Sequence, residues 1–199
     1  TRYLIIYPSD GLTLAGFMNI PTGDGPFPVA LVMHGYVNPA NYNTIAYTTR
    51  YADALARAGY LVIHPNYRNW PLSDEGPDRF RATHAADALN LIAIIREQAG
   101  QPGPLKNADP RFVGMMGHSM GGGITLRTIV AADAMQAAVL YGAMSGDEHQ
   151  NYEKILEWSG GASGREELDT PDADLERIGP IYHPERITAP VSIHHGDND

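Results

Sequence analysis

Gly117-His118-Ser119-Met120-Gly121 sets a serine between two glycines, each two residues away, and two further glycines follow at 122 and 123. A serine so placed can serve as a nucleophile toward an acyl carbonyl, provided the backbone turns sharply enough to expose its hydroxyl. The flanks supply that turn. Phe112-Val-Gly-Met-Met116 is a short apolar run of the kind found in a strand buried on both faces, and residues 120–132 read as a helix. Ser119 is therefore expected at a strand-to-helix junction, its Oγ at the carboxyl edge of a sheet. The helix N-terminus behind it favours developing negative charge. A Gly-rich turn carrying an incidental serine is the plain alternative.

Acyl transfer needs two preorganised N–H donors for the tetrahedral oxyanion. One is expected from the residue after the nucleophile, Met120. The second is assigned to the backbone N–H of Tyr36, because His34-Gly35-Tyr36 closes the first buried parallel strand, Val29-Ala-Leu-Val-Met33. The Tyr36 side chain is also a candidate for the pocket wall.

These residues need a scaffold, and the remaining pattern describes one. Arg2–Tyr7 and Leu12–Ile20 flank Asp10-Gly11 and predict a hairpin. Strand candidates at 60–63, 112–116, 137–140 and 190–194 alternate with helices at 45–58, 79–98 and 120–132. Phe80, Ala88, Leu91, Ile92 and Ile95 form one apolar face of the second helix. Strand–helix alternation with short apolar strands predicts an α/β fold, mostly parallel, with helices on both faces. Residues 142–189 break the rhythm with polar, Gly/Pro-punctuated sequence and one helix near 150–158. A connection that long predicts a lid-like insertion, and its Tyr152, Trp158 and Tyr182 could cover an acyl pocket. A solvated surface loop is the alternative.

Taken together, the chain resembles the α/β-hydrolase superfamily, in particular its prolyl-oligopeptidase/dienelactone-hydrolase-like branch of serine esterases and peptidases. Val32-Met-His-Gly35 resembles the oxyanion strand, Asn66-Tyr67-Arg68 a segment after the next strand, and Asp87 an acidic position on the following helix. Pro190-Val-Ser-Ile-His-His-Gly-Asp-Asn-Asp199 resembles the strand that delivers the triad acid. The resemblance implies a single α/β-hydrolase domain over residues 1–199, with Asp199 as catalytic acid and Asp197 as second choice. Asn69-Trp70 stands where peptidases of the branch carry Gly-Ser.

In that fold the order is serine, acid, histidine, and no histidine follows Asp199 in this chain. The expectation is a C-terminally incomplete domain. The last strand, the histidine loop and the closing helix would lie beyond Asp199, possessed by a companion fragment or continuing chain. A base relocated to His149 or His183, or a non-catalytic ligand-binding module, are the other readings. His118, packed beside the nucleophile, and Trp158 join Tyr36 as candidate substrate contacts.

Composition bounds the alternatives. The 199 residues are 43% hydrophobic and 19% charged, enough for a packed core. Fourteen Lys and Arg against 23 Asp and Glu give a net charge of −9. No basic cluster is present, so nucleic acid is a poor partner. With no cysteine, disulfides, thiolate metal sites and a cysteine nucleophile are excluded for this chain. His194-His195 with Asp197 and Asp199 could suggest a metal, but strand alternation points the two rings to opposite faces. No phosphate loop or dinucleotide fingerprint occurs. Neither metal nor cofactor is expected. No apolar run reaches the length of a membrane span, and a soluble protein, cytoplasmic or secreted, is expected. The anticipated activity is that of a carboxylesterase-type serine hydrolase on small-molecule esters. A serine peptidase of the same fold is the runner-up.

Overall fold

The computed structural model describes residues 1–197. Its seven-stranded sheet has the spatial order β1-β2-β4-β3-β5-β6-β7. The hairpin forms as the sequence predicts. β1 (Arg2–Ser9) and β2 (Leu12–Asn19) pair antiparallel, and Asp10 and Gly11 adopt the positive φ of 48° and 81° that a two-residue turn of this hand needs. β2 runs antiparallel to β4 (Leu61–Pro65). From there β3 (Phe27–Met33), β5 (Ala108–His118), β6 (Ala137–Tyr141) and β7 (Val191–His194) are all parallel.

The central strands are the apolar runs of the sequence, and helices cover both their faces. On one side α1 (Thr49–Arg57) lays Ala52 against Phe17, Val32 and Val62. On the other, α2 (Ala82–Gln98) and α3 (Met120–Ala131) bury Leu91, Ile92, Ile95, Ile124 and Ile129 against Leu31, Ile63, Val113 and Met115. The two positions that the resemblance marked, Arg68 and Asp87, meet beneath this layer. Arg68 grips the Asp87 carboxylate with Nε at 2.9 Å and Nη2 at 2.7 Å, and Ser9 Oγ donates to the same carboxylate at 2.5 Å. Both partners are buried, and this bidentate pair ties the strand-following loop to α2.

Several boundaries differ from the sequence reading, three of them with a clear cause. α1 begins at Thr49 rather than 45, because residues 42–48 form a turn segment whose Tyr42, Thr44 and Thr48 side chains bond to His64 and Asn66. Phe80 does not belong to the apolar face of α2. It and Arg81 sit in the left-handed region at φ 57° and 55°, immediately before the helix. β5 starts at Ala108, four residues early, since Ala108 and Asp109 pair with Phe27 and Pro28 ahead of a register shift. The 142–189 segment holds α4 (Glu148–Trp158), α5 (Arg165–Leu168) and α6 (Asp172–Ile178). Asp147 caps α4 by accepting from His149 N at 2.9 Å and Gln150 N at 3.3 Å. Tyr152 and Leu175 are the buried anchors of the segment.

Candidate active site

Ser119 occupies the junction between β5 and α3 with φ 54° and ψ −119°. A left-handed φ at a non-glycine residue costs on the order of 1–3 kcal/mol. The surrounding backbone holds it there: Ser119 N donates to Tyr141 O at 3.1 Å, and Ser119 O accepts from Gly122 N at 2.9 Å and Met144 N at 3.1 Å. The glycines permit the crowding. A Cβ on Gly121 would run into the Met33 and His34 carbonyl oxygens, and one on Gly117 would overlap the Gly121 carbonyl. α3 therefore lies directly against the end of β3, which brings the Met120 amide and Tyr36 to one region. Met120 is the first residue of α3, and an amide there has no acceptor within its own helix.

A cavity of about 420 Å³ opens over Ser119, and Tyr36, Met120 and Trp158 all line it. Its walls are mainly apolar: Trp70, Phe80, Tyr152, Met144 and Ile155 complete them, with α4 closing one side. Trp158 is 73% exposed and Tyr36 62% exposed, so both stand at the rim. Tyr36 meets Trp70 edge-on at 6.1 Å. Tyr182, a further aromatic of the insertion, points elsewhere, donating to Asp147 Oδ2 at 3.4 Å.

Three charged residues also line this space: Asp78 and Arg81, which sequence reasoning missed, and Glu167 of α5. Burial pushes the Asp78 carboxyl up, but the adjacent His84 ring (Nε2 at 3.1 Å), a hydrogen bond from Thr83 Oγ1 (2.8 Å) and the nearby Arg81 outweigh it, holding the pKa below the usual carboxylate range. Arg81 stacks over the Tyr152 ring at 4.7 Å and pairs with buried Glu148 at 3.2 Å. Arg127 of α3 pairs with the same Glu148. Phe80, read from the sequence as core, is another lining residue; the left-handed pair Phe80–Arg81 turns both side chains toward the insertion. Their only sequence signal is the Pro77-Asp78 break before the helix.

The histidines separate clearly. His34 and His64 are fully buried and stacked at 5.4 Å, His34 against Tyr67 at 4.1 Å and His64 against Phe17 at 4.7 Å. Burial lowers His34 to about 3 and His64 well below the ordinary imidazole value. His84 is buried too, with Nε2 3.1 Å from Asp78 Oδ2. His118, expected among the substrate contacts, is not among the cavity's lining residues and is hydrogen-bonded through Nδ1 to Tyr47 Oη at 2.6 Å. His149 faces Glu153 at 3.6 Å and His183 bonds to Arg177 O at 3.0 Å. Neither lines the cavity. Among the described residues no histidine is hydrogen-bonded to the Ser119 hydroxyl, and no cluster of His, Cys, Asp or Glu is arranged to hold a metal ion. Asp199, the expected acid, lies outside the described residues; Asp197 is exposed in the turn after β7. Among the described residues no helix is long and apolar enough to cross a membrane.

No curated protein matches the sequence. Among solved structures, an uncomplexed acylaminoacyl peptidase of Pyrococcus horikoshii superposes with a TM-score of 0.71 at 20% identity, covering 98% of this chain and 31% of that one. An esterase of Pyrococcus furiosus gives 0.67 at 14%, covering 97% and 70%. The α/β hydrolase GrgF of a Penicillium species gives 0.60 at 19%, covering 80% and 53%. The chain thus spans about a third of the length of the acylaminoacyl peptidase it resembles, and at these identities the likeness is one of fold. Residues 26–166 match the family described as serine aminopeptidase, S33. That match takes in β3, the Ser119 junction and the first helix of the insertion, and the chain belongs to this family of α/β hydrolases.

Proposed function

We propose that this chain carries the nucleophile of a serine hydrolase that cleaves carboxylic esters through an acyl-enzyme on Ser119. The observation that carries the reading is Ser119 itself, held at φ 54° on the floor of a cavity of about 420 Å³ walled by aromatic and aliphatic side chains. In this reading Ser119 Oγ attacks the ester carbonyl, its proton passing to a histidine base. The Met120 and Tyr36 amides receive the oxyanion. Collapse expels the alcohol, and water, activated by the same base, releases the acid. Asp199 orients the base, a histidine that in the Ser–Asp–His order of the fold follows the acid. The apolar walls suit an uncharged acyl or alcohol group.

The acylaminoacyl peptidase likeness favours peptide bonds as a second reading. Both readings are tested by assaying the full-length protein against p-nitrophenyl esters and aminoacyl p-nitroanilides. Faster ester turnover, reduced at least about a thousandfold by Ser119→Ala, is expected. Ester hydrolysis that survives Ser119→Ala would overturn the mechanism. Anilide turnover exceeding ester turnover would select the peptidase.

A further inference from the structure

The two amides proposed to hold the oxyanion come from separate stretches of chain, Tyr36 after β3 and Met120 after β5. Their spacing decides whether both reach one oxygen, since donors must sit 2.7–3.1 Å from it. One side chain joins the two stretches. Tyr47, from the turn before α1, bonds its hydroxyl to His118 Nδ1 at 2.6 Å, one residue before the nucleophile. The same hydroxyl lies against Gly35, one residue before Tyr36: a Cβ built on Gly35 would collide with Tyr47 Oη, and it would also lie 3.1 Å from Ser119 Cβ. Gly35 therefore has to be glycine for Tyr47 to enter, and the phenol oxygen is wedged beside the nucleophile. The ring is steadied from behind by His34 at 6.0 Å and by His118 at 5.8 Å.

We infer that Tyr47 is a positioning residue, its hydroxyl clamping the Gly35–Tyr36 and His118–Ser119 segments at the separation the oxyanion hole requires. Burial raises the phenol's pKa, so the hydroxyl keeps its proton in neutral solution and the clamp is intact there. Removing the oxygen leaves the ring packing in place and frees the two segments to drift. Ground-state ester binding, which rests on the cavity walls, is insensitive to that drift, whereas the transition-state oxyanion is not.

The inference rests on the hydrolase reading, and the test separates the two. The full-length protein and its Tyr47→Phe variant are compared in ester kinetics, in inhibition by an aryl trifluoromethyl ketone whose hemiketal oxygen would occupy the hole, and in thermal melting. Direct loss of an oxyanion donor costs about 10²–10³ in kcat; an indirect clamp is expected to cost about tenfold. KM should stay within about twofold, ketone affinity should weaken in parallel with kcat, and the melting temperature should change by no more than the loss of one hydrogen bond allows, about 2–4 °C. Unchanged kcat, or a loss carried by KM or by melting alone, overturns the clamp while leaving the hydrolase intact. A wild-type protein without ester turnover and without ketone binding overturns the hydrolase reading and the clamp with it.

Discussion

At the scale of single residues, the junction around Ser119 depends on atoms that are missing. Gly121 and Gly123 are two residues apart on α3, yet their surroundings differ. A Cβ at 121 meets rigid backbone, including the His34 carbonyl oxygen at 2.6 Å, whereas one at 123 comes no closer than 3.2 Å, to Met144 Cβ, an approach that a shift of a few tenths of an ångström relieves. Gly121→Ala is expected to destabilise by about 3 kcal/mol or more, the upper end of overpacking, and to abolish turnover. Gly123→Ala is expected to be within about 1 kcal/mol of wild type, because the gain in helix propensity offsets the small displacement. Urea denaturation of the two variants checks this; equal effects would mean that the packing of α3 on β3 does not set the junction. The sequence motif shows that glycines are required here without distinguishing the essential one, since the difference lies in what another strand places opposite.

Among elements, the insertion is tied to the body by the Glu148 carboxylate as well as by its buried anchors. That carboxylate is buried at the start of α4 and shared by Arg81, from the left-handed turn before α2, and Arg127, from α3. Removing one member of a buried ion pair typically costs 3–5 kcal/mol, because the partner charges stay behind. Glu148→Ala is accordingly expected to lower stability by about 3 kcal/mol in chemical denaturation. Adding Arg127→Ala should recover part of that loss, since it removes one stranded charge. Full additivity of the two changes would show that the contact carries no coupling. None of this network was visible in the sequence, where Arg81, Arg127 and Glu148 are unremarkable charges far apart. The central strands and long helices are legible because their apolar residues form runs or stripes: Val29–Met33 and Leu61–Ile63 are buried throughout, whereas the Phe112–Met116 run, expected to be buried on both faces, is fully buried only at Val113 and Met115 and leaves Phe112 exposed. α5 and α6 are not legible, being four and seven residues long without an apolar stripe. Phe80 was misread because its spacing fits the α2 face, while the left-handed turn at 80–81 is a tertiary choice that brings it to the cavity. The candidate site was legible in its local part, Ser119 with Met120 and Tyr36. Its walls, Trp70, Asp78 and Met144, are assembled across the chain and leave no spacing to detect.

For the whole molecule, the interior carries a column of rings that links the outer strands to the active-site side: Phe17, His64, His34, Tyr67 and His84 stack in sequence at 4.7, 5.4, 4.1 and 4.7 Å. Two of its histidines are kept neutral. His34 is depressed to about 3, first by burial, with a neighbouring His84 adding to it and the Gly35 backbone opposing; His64 is depressed by burial and by His34. In the unfolded chain each ring binds a proton near pH 6.5. Below that pH the unfolded state takes up protons that the folded state refuses, so the stability these rings contribute is complete above pH 6.5 and is lost as pH falls, for His34 down to about 3. The slope approaches about 1.4 kcal/mol per pH unit for each ring. Ordinary carboxylates titrate near pH 4, so loss between pH 6.5 and 5 comes from histidines, and His34 and His64 are the two whose protonation burial opposes. Urea midpoints measured at constant ionic strength should therefore fall steadily from pH 7.5 to pH 5. A flat profile over that interval would mean that the column accepts protons in the folded state and that its rings are not held neutral by burial.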